Sequence, residues 1–225
     1  IAPKLIQLLQ DDILTVRLSA AQSLAHLKII DAIPIILVQL PLPYEWMEKK
    51  VIGILNDYGD LAIRPTLEFL NSQPNVIAAE KIAITILGDQ KAELAVPILI
   101  TYLEHADIDM RIACIKSLGK ISSPKAYQDL LMASDDKSWE IRSSVMHALG
   151  SYKMDQSIPA LKHGLTDAVW WVRYNAAKSL QEMGEAGIIT LNNFKNSPDY
   201  FAAEMSLMVL EMESVLQHVE PRKND

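Results

Sequence analysis

Apolar positions along this chain recur with the period of a helix, and the helical pattern itself recurs at a longer fixed interval. In residues 158–182, "IPALKHGLTDAVWWVRYNAAKSLQE", Leu161 and Leu165 mark one apolar stripe at i, i+4, and Val172, Ala176 and Leu180 mark another at i, i+4, i+8. The pattern predicts two short helices, A and B. Pro159 falls in the first turn of A, where a missing N–H removes no intrahelical bond. Asp167 falls in the turn, placed to accept from the free N–H groups where B begins. No run alternates with period two for long enough to predict a strand.

The same wording repeats. Prolines stand at Pro3, Pro34, Pro65, Pro97 and Pro159, and leucines at Leu24, Leu55, Leu87, Leu118, Leu149 and Leu180, both on a ruler of 31 residues. Six units are clear, and a weaker seventh runs near Pro198 to Met212. A helix pair this short cannot bury its own apolar face, so units must stack and share a continuous core. The expectation is an all-α chain of about seven 31-residue helix pairs. It forms one domain over 1–225, with 185–225 as an atypical C-terminal capping unit. Gly88, Gly119 and Gly150 are predicted to end B helices in the left-handed conformation. Two units depart from the norm: "PLPYEWMEKK" in the second predicts a stiffened loop, and "NSQPNVIAAE" in the third carries one extra residue.

Three segments, "SIPALKHGLTDAVWWVRYNAAKSLQEMG", "AVPILITYLEHADIDMRIACIKSLG" and "IAPKLIQLLQDDILTVRLSAAQSLAHL", resemble HEAT repeats, and the short period is most similar to the HEAT-like units of bilin lyases. The resemblance implies a right-handed, armadillo-like α-solenoid whose B helices line a concave surface. It also implies a ladder between a turn aspartate and a helix B arginine linking adjacent units. The arginine position holds Arg17, Arg111, Arg142 and Arg173, and the aspartate position holds Asp11, Asp136 and Asp167. The second and third units depart, with Glu48 and Glu80 at the arginine position and Leu42 and Pro74 at the aspartate position, so a less regular junction is expected there.

Aligned columns separate framework from surface. Leu14, Glu45, Ile77, Ile108, Trp139 and Trp170 form a mostly apolar column, which predicts that Trp139 and Trp170 are core residues. The next column, Thr15, Trp46, Ala78, Asp109, Glu140 and Trp171, is mostly small or polar and is expected to face solvent. Lys50, Asn175 and Lys178 share that face at helical spacing, and Tyr174 borders it. Trp46, Lys50, Trp171, Tyr174, Asn175 and Lys178 are therefore the candidate partner-binding residues. In the last unit Glu204 stands at or beside the arginine position, and a methionine-rich strip is expected to cap the array or pair with another chain.

Composition narrows the function classes. Hydrophobic residues make up 50% of 225, enough for a substantial core. Lysine plus arginine number 21 against 28 aspartate plus glutamate, a net charge of -7, which removes the electrostatic drive for nucleic-acid binding. The longest apolar segment, "AIPIILVQL", falls well short of the roughly 20 residues that span a bilayer. The single cysteine, Cys114, permits no internal disulfide, sits on an apolar column with Ala20, Ala83 and Ala176, and fits a cytoplasmic protein. The opening residues show no basic-then-apolar leader, and a start at Ile1 reads as an excised domain.

The five histidines occupy different columns and form no His-x-x-x-His or His-Glu pair, so neither metal ligation nor the di-iron chemistry of HEAT-like hydroxylases is expected. There is no glycine-rich phosphate loop. The expectation is a chain without cofactor or catalytic residues that presents its B helices to another protein. The alternative implied by the resemblance is a bilin-lyase-like subunit that assists chromophore attachment.

Overall fold

The computed structural model describes residues 1–40 and 45–219, with side chains up to residue 212. Among these are fourteen α-helices and no strand, arranged as seven A/B pairs. They are α1 (Ala2–Leu8) and α2 (Leu14–His26), α3 (Ile33–Gln39) and α4 (Glu45–Asn56), α5 (Ile63–Asn71) and α6 (Ile77–Asp89), and α7 (Val96–Thr101) and α8 (Ile108–Ile121). Then follow α9 (Tyr127–Met132) and α10 (Trp139–Tyr152), α11 (Ile158–Leu165) and α12 (Trp170–Glu182), and α13 (Glu185–Phe194) and α14 (Tyr200–Val219). The B helices begin at Leu14, Glu45, Ile77, Ile108, Trp139, Trp170 and Tyr200, so the repeat holds across the whole chain. The helices group into two compact units, Ile1–Ile121 and Ser122–Asp225. The predicted stiff loop at Pro41 and Pro43 lies outside the described residues, as does Leu42.

The predicted local signals work as expected in the turns. Pro34, Pro97 and Pro159 sit at the start of their A helices. Asp11, Asp136 and Asp167 accept from the N–H of Ile13, Ser138 and Val169 at 2.8, 2.7 and 2.8 Å, two residues on, where each B helix begins. His105 does the same in the fourth repeat, its Nδ1 accepting from the Asp107 N–H at 3.0 Å.

The glycines act differently from the expectation. Gly88, Gly119 and Gly150 lie inside α6, α8 and α10, and the left-handed residues come later, at Lys28, Gly59, Lys91, Ser122, Lys153 and Gly184. Most of these are not glycine, so glycine placement does not mark the helix end. Gly88 and Gly150 serve close packing instead. A Cβ on Gly88 would lie 2.5 Å from Ser117 Oγ, and one on Gly150 would lie 2.4 Å from Ser179 Oγ, both on the next B helix. The two serines donate across the contact, Ser117 Oγ to the Ile84 carbonyl at 2.9 Å and Ser179 Oγ to the Met146 carbonyl at 2.8 Å.

The core follows the leucine ruler: Leu24, Leu55, Leu87, Leu118, Leu149 and Leu180 are fully buried, as is Cys114 in its alanine column. Met47, Ala79, Met110, Ile141 and Val172, at the third residue of their B helices, are buried as well. Trp139 and Trp170 are not core residues: they are 38% and 42% exposed. The reason is geometric. The first residue of a B helix lies before the turn that packs on helix A, and burial begins two residues later. The seventh pair continues the stack through Leu191, Ala202, Met205 and Val209, while Leu207 and Met212 stay exposed.

Candidate functional site

The largest exposed aromatic group in the second unit stands where its B helices begin. At the start of α12, Tyr174 stacks on Trp170 four residues earlier, centroids 5.0 Å apart and planes at 9°. Trp171 meets both rings edge-on, at 4.7 Å from Trp170 and 6.2 Å from Tyr174. Trp171 is 53% exposed, Tyr174 half-buried. Each ring restricts its neighbours, so the cluster is held in shape before anything touches it. At the start of α14, exposed Tyr200 and Phe201 meet edge-on at 5.6 Å, and the Arg173 guanidinium lies 5.0 Å over the Phe201 ring. With Trp139 at the start of α10, three successive B helices open on exposed aromatic residues.

The other candidate residues divide. Asn175 is half-buried and donates to the Ser143 carbonyl at 3.1 Å and to Ser143 Oγ at 2.8 Å, tying α12 to α10. Lys178 Nζ donates to Gln181 Oε1 at 2.7 Å, and Gln181 Nε2 donates to the Val209 carbonyl of α14 at 3.1 Å. Both residues are thus engaged within the stack. Trp46, 57% exposed, and exposed Lys50 lie on α4 in the first unit, beside a surface ion pair between Glu45 and Lys49 at 2.8 Å.

The arginines stitch turns to helices. Arg142 forms a two-point contact with Asp167 of the following repeat, Nε to Oδ2 at 2.7 Å and Nη2 to Oδ1 at 3.1 Å. Its Nη1 donates to the carbonyls of Asp136 and Lys137 in its own turn at 2.8 and 3.2 Å. Arg173 likewise donates to Asp167 and Ala168 at 2.7 and 3.0 Å, and Arg17 to Asp11 and Asp12 at 2.8 and 3.3 Å. Burial pushes the Asp167 carboxyl up, but the hydrogen bonds from Arg142 and the Val169 N–H, with the Arg142 charge, outweigh it and hold the group below its ordinary range.

The HEAT repeats family profile matches residues 63–149 and 132–207, more than half of the chain. The chain belongs to the HEAT-repeat family. Among solved structures, the complex of CpcE and CpcF of phycocyanin lyase from Nostoc is similar at a TM-score of 0.54 and 17% identity, covering 100% of this chain and 90% of that one. An engineered protein is similar at 0.54 and 16%, covering 93% and 67%. A designed armadillo repeat protein aligns at 0.47 and 18%, covering 94% and 99%. Among the curated proteins none matches closely enough to count as a relative. The likenesses concern fold, and with the seven helix pairs they make this chain an all-α repeat solenoid.

The HEAT ladder is rewritten in the first unit, as the sequence led us to expect. Glu48, at the arginine position of the second repeat, pairs with Lys81 of the third at 3.3 Å. Farther along these B helices, Asp89 joins Lys120 at 2.5 Å and Asn56 at 2.9 Å. Glu80, at the arginine position of the third repeat, is only 6% exposed, and its oxygens accept from the Val76 N–H at 3.0 Å and the Tyr102 hydroxyl at 2.8 Å. Cys114 is sealed in the core, and burial pushes its thiol far up, away from thiolate chemistry. Among the described residues no three His, Cys, Asp or Glu side chains converge as metal ligands, and no helix is long and apolar enough to cross a membrane.

Proposed function

We propose that this HEAT-repeat chain is a non-catalytic interaction module that docks another protein on the aromatic surface of its B helices. The observation that carries the reading is the cluster of Trp170, Trp171 and Tyr174, in which two exposed tryptophans are held by ring contacts with each other and with the half-buried tyrosine. Exposed tryptophan is rare on a surface that only meets water, and one anchor of this kind contributes about 2 kcal/mol or more when a partner buries it. Pre-stacked rings also lose little conformational freedom on binding. Trp139, Tyr200 and Phe201 extend the surface, and Trp46 with Lys50 offers a separate contact in the first unit. The partner presents an apolar segment, because Arg173 beside the cluster is already engaged with turn carbonyls and the Phe201 ring. The net charge of -7 weighs against nucleic acid.

The test is recovery of the protein with its bound partner from its native cell, in wild-type form and as Trp171→Ala with Tyr174→Ala. The double variant is expected to lose the partner while its melting temperature stays near wild type. Quantitative retention of the partner by the double variant would sink the reading.

The similarity to the phycocyanin lyase complex favours a second reading, a subunit that assists attachment of a bilin. Addition of bilin followed by absorbance decides it: an unchanged spectrum removes this reading.

A further inference from the structure

One junction of the array has the polarity of its ladder reversed. Between the fifth and sixth repeats, a guanidinium from helix B, Arg142, meets a carboxylate from the next turn, Asp167. Between the third and fourth, the corresponding positions hold Glu80 on helix B and His105 in the next turn. Here the two side chains do not close on a partner of opposite charge. Both line a cavity of about 300 Å³, with Asn75, Ile98, Thr101 and Tyr102.

The chemistry of that cavity is one-sided. Glu80 is nearly fully buried, yet it accepts from two neutral donors, the Val76 N–H and the Tyr102 hydroxyl. Two neutral donors supply no opposite charge and leave part of its acceptor capacity unused. No lysine or arginine lines the cavity among the described residues. A buried carboxylate in weakly polar surroundings gains most from a cation brought against it. Burial and the bond to Glu80 push the Tyr102 hydroxyl upward, so it stays protonated as a donor and adds no competing negative charge. Its ring stacks with His105 at 5.8 Å and 19°, and both rings line the cavity, where aromatic side chains favour a cation. The exposed side chains of Asn71, Gln73 and Asn75 put the mouth in contact with water.

We propose that this cavity binds a single guanidinium or alkylammonium group, with Glu80 as its counter-ion. The group takes the role that Arg142 fills farther along the array, with the cation supplied from outside the chain. The inference stands apart from the aromatic surface, which lies in the other compact unit.

The test is a titration of the whole chain followed by backbone amide NMR, with N-acetyl-arginine amide, its neutral isostere N-acetyl-citrulline amide, and methylguanidinium. The arginine amide is expected to give saturable shifts at Asn75, Tyr102 and His105, with citrulline binding about tenfold more weakly for loss of a charge-assisted contact. Tighter binding of the arginine amide than of methylguanidinium assigns the site to a side chain of another polypeptide; equal binding assigns it to a free small cation. Glu80→Gln should abolish the shifts, while Tyr102→Phe, which keeps the carboxylate and removes one neutral donor, should retain them. Equal binding of the citrulline and arginine amides, retained shifts in folded Glu80→Gln, or no saturable shift in the folded wild type with any cation overturns the proposal. The wild-type comparison and Tyr102→Phe decide the matter even where Glu80→Gln fails to fold.

Discussion

The junction between the fifth and sixth repeats and the junctions around the third solve one packing problem with opposite polar chemistry. In the former, Arg142 spans a turn and a neighbouring repeat through four hydrogen bonds. In the latter, Glu48 turns to Lys81, and Glu80 accepts from Val76 in its own repeat and from Tyr102 of the next. Both regions nevertheless keep the same helix pairing and the same fully buried leucine column. The difference teaches that apolar columns set the frame, while the ladder pins turns locally and can be replaced without loss of the repeat.

If that is right, the greatest losses should come from the shared frame, and equally in both regions. Leu55→Ala and Leu149→Ala should each cost about 3 to 4 kcal/mol in urea unfolding. A cost confined to one of the two would break the comparison. The polar links should be unequal. Arg142→Ala strands a shielded carboxylate and should cost about 2 kcal/mol, whereas Glu48→Ala, at a half-exposed pair, should cost about 0.5 kcal/mol. The Asp167 link also carries a pH signature. Its carboxyl is held below its ordinary range in the folded state, so its contribution is complete above the unfolded value near ~4 and disappears as pH falls through the lower folded value. Wild type should therefore lose stability toward low pH more steeply than Asp167→Asn, measured as unfolding midpoints across the acid range. Trp170→Ala should cost only about 1 kcal/mol, far less than a leucine of the frame, because the ring is 42% exposed. A loss like that of Leu149→Ala would return this tryptophan to the core.

Much of this architecture was legible in residue spacing. The leucine ruler marked the core, and the turn aspartates announced where B helices begin. Column reasoning failed where residue type and position disagree. Trp170 and Trp139 are large and apolar, but they occupy a helix start that packing on helix A does not reach. Asn175 faces outward by spacing, yet Ser143 on the neighbouring helix gives it partners that one repeat read alone cannot supply. His105 was hidden among aspartates because it performs their turn-capping role with a ring nitrogen. Gly88 and Gly150 stand so near the helix ends that spacing alone could not separate termination from close packing.

Those two glycines also set a dimension. Where α6 meets α8 and α10 meets α12, the gap between neighbours is too narrow for one additional carbon atom. A methyl group at Gly150 would act as a shim, prying Ser179 away and widening the local pitch of the stack. Successive helix starts would then stand farther apart, and a surface spread over α10 and α12 would be retuned from the far end of the helices that carry it.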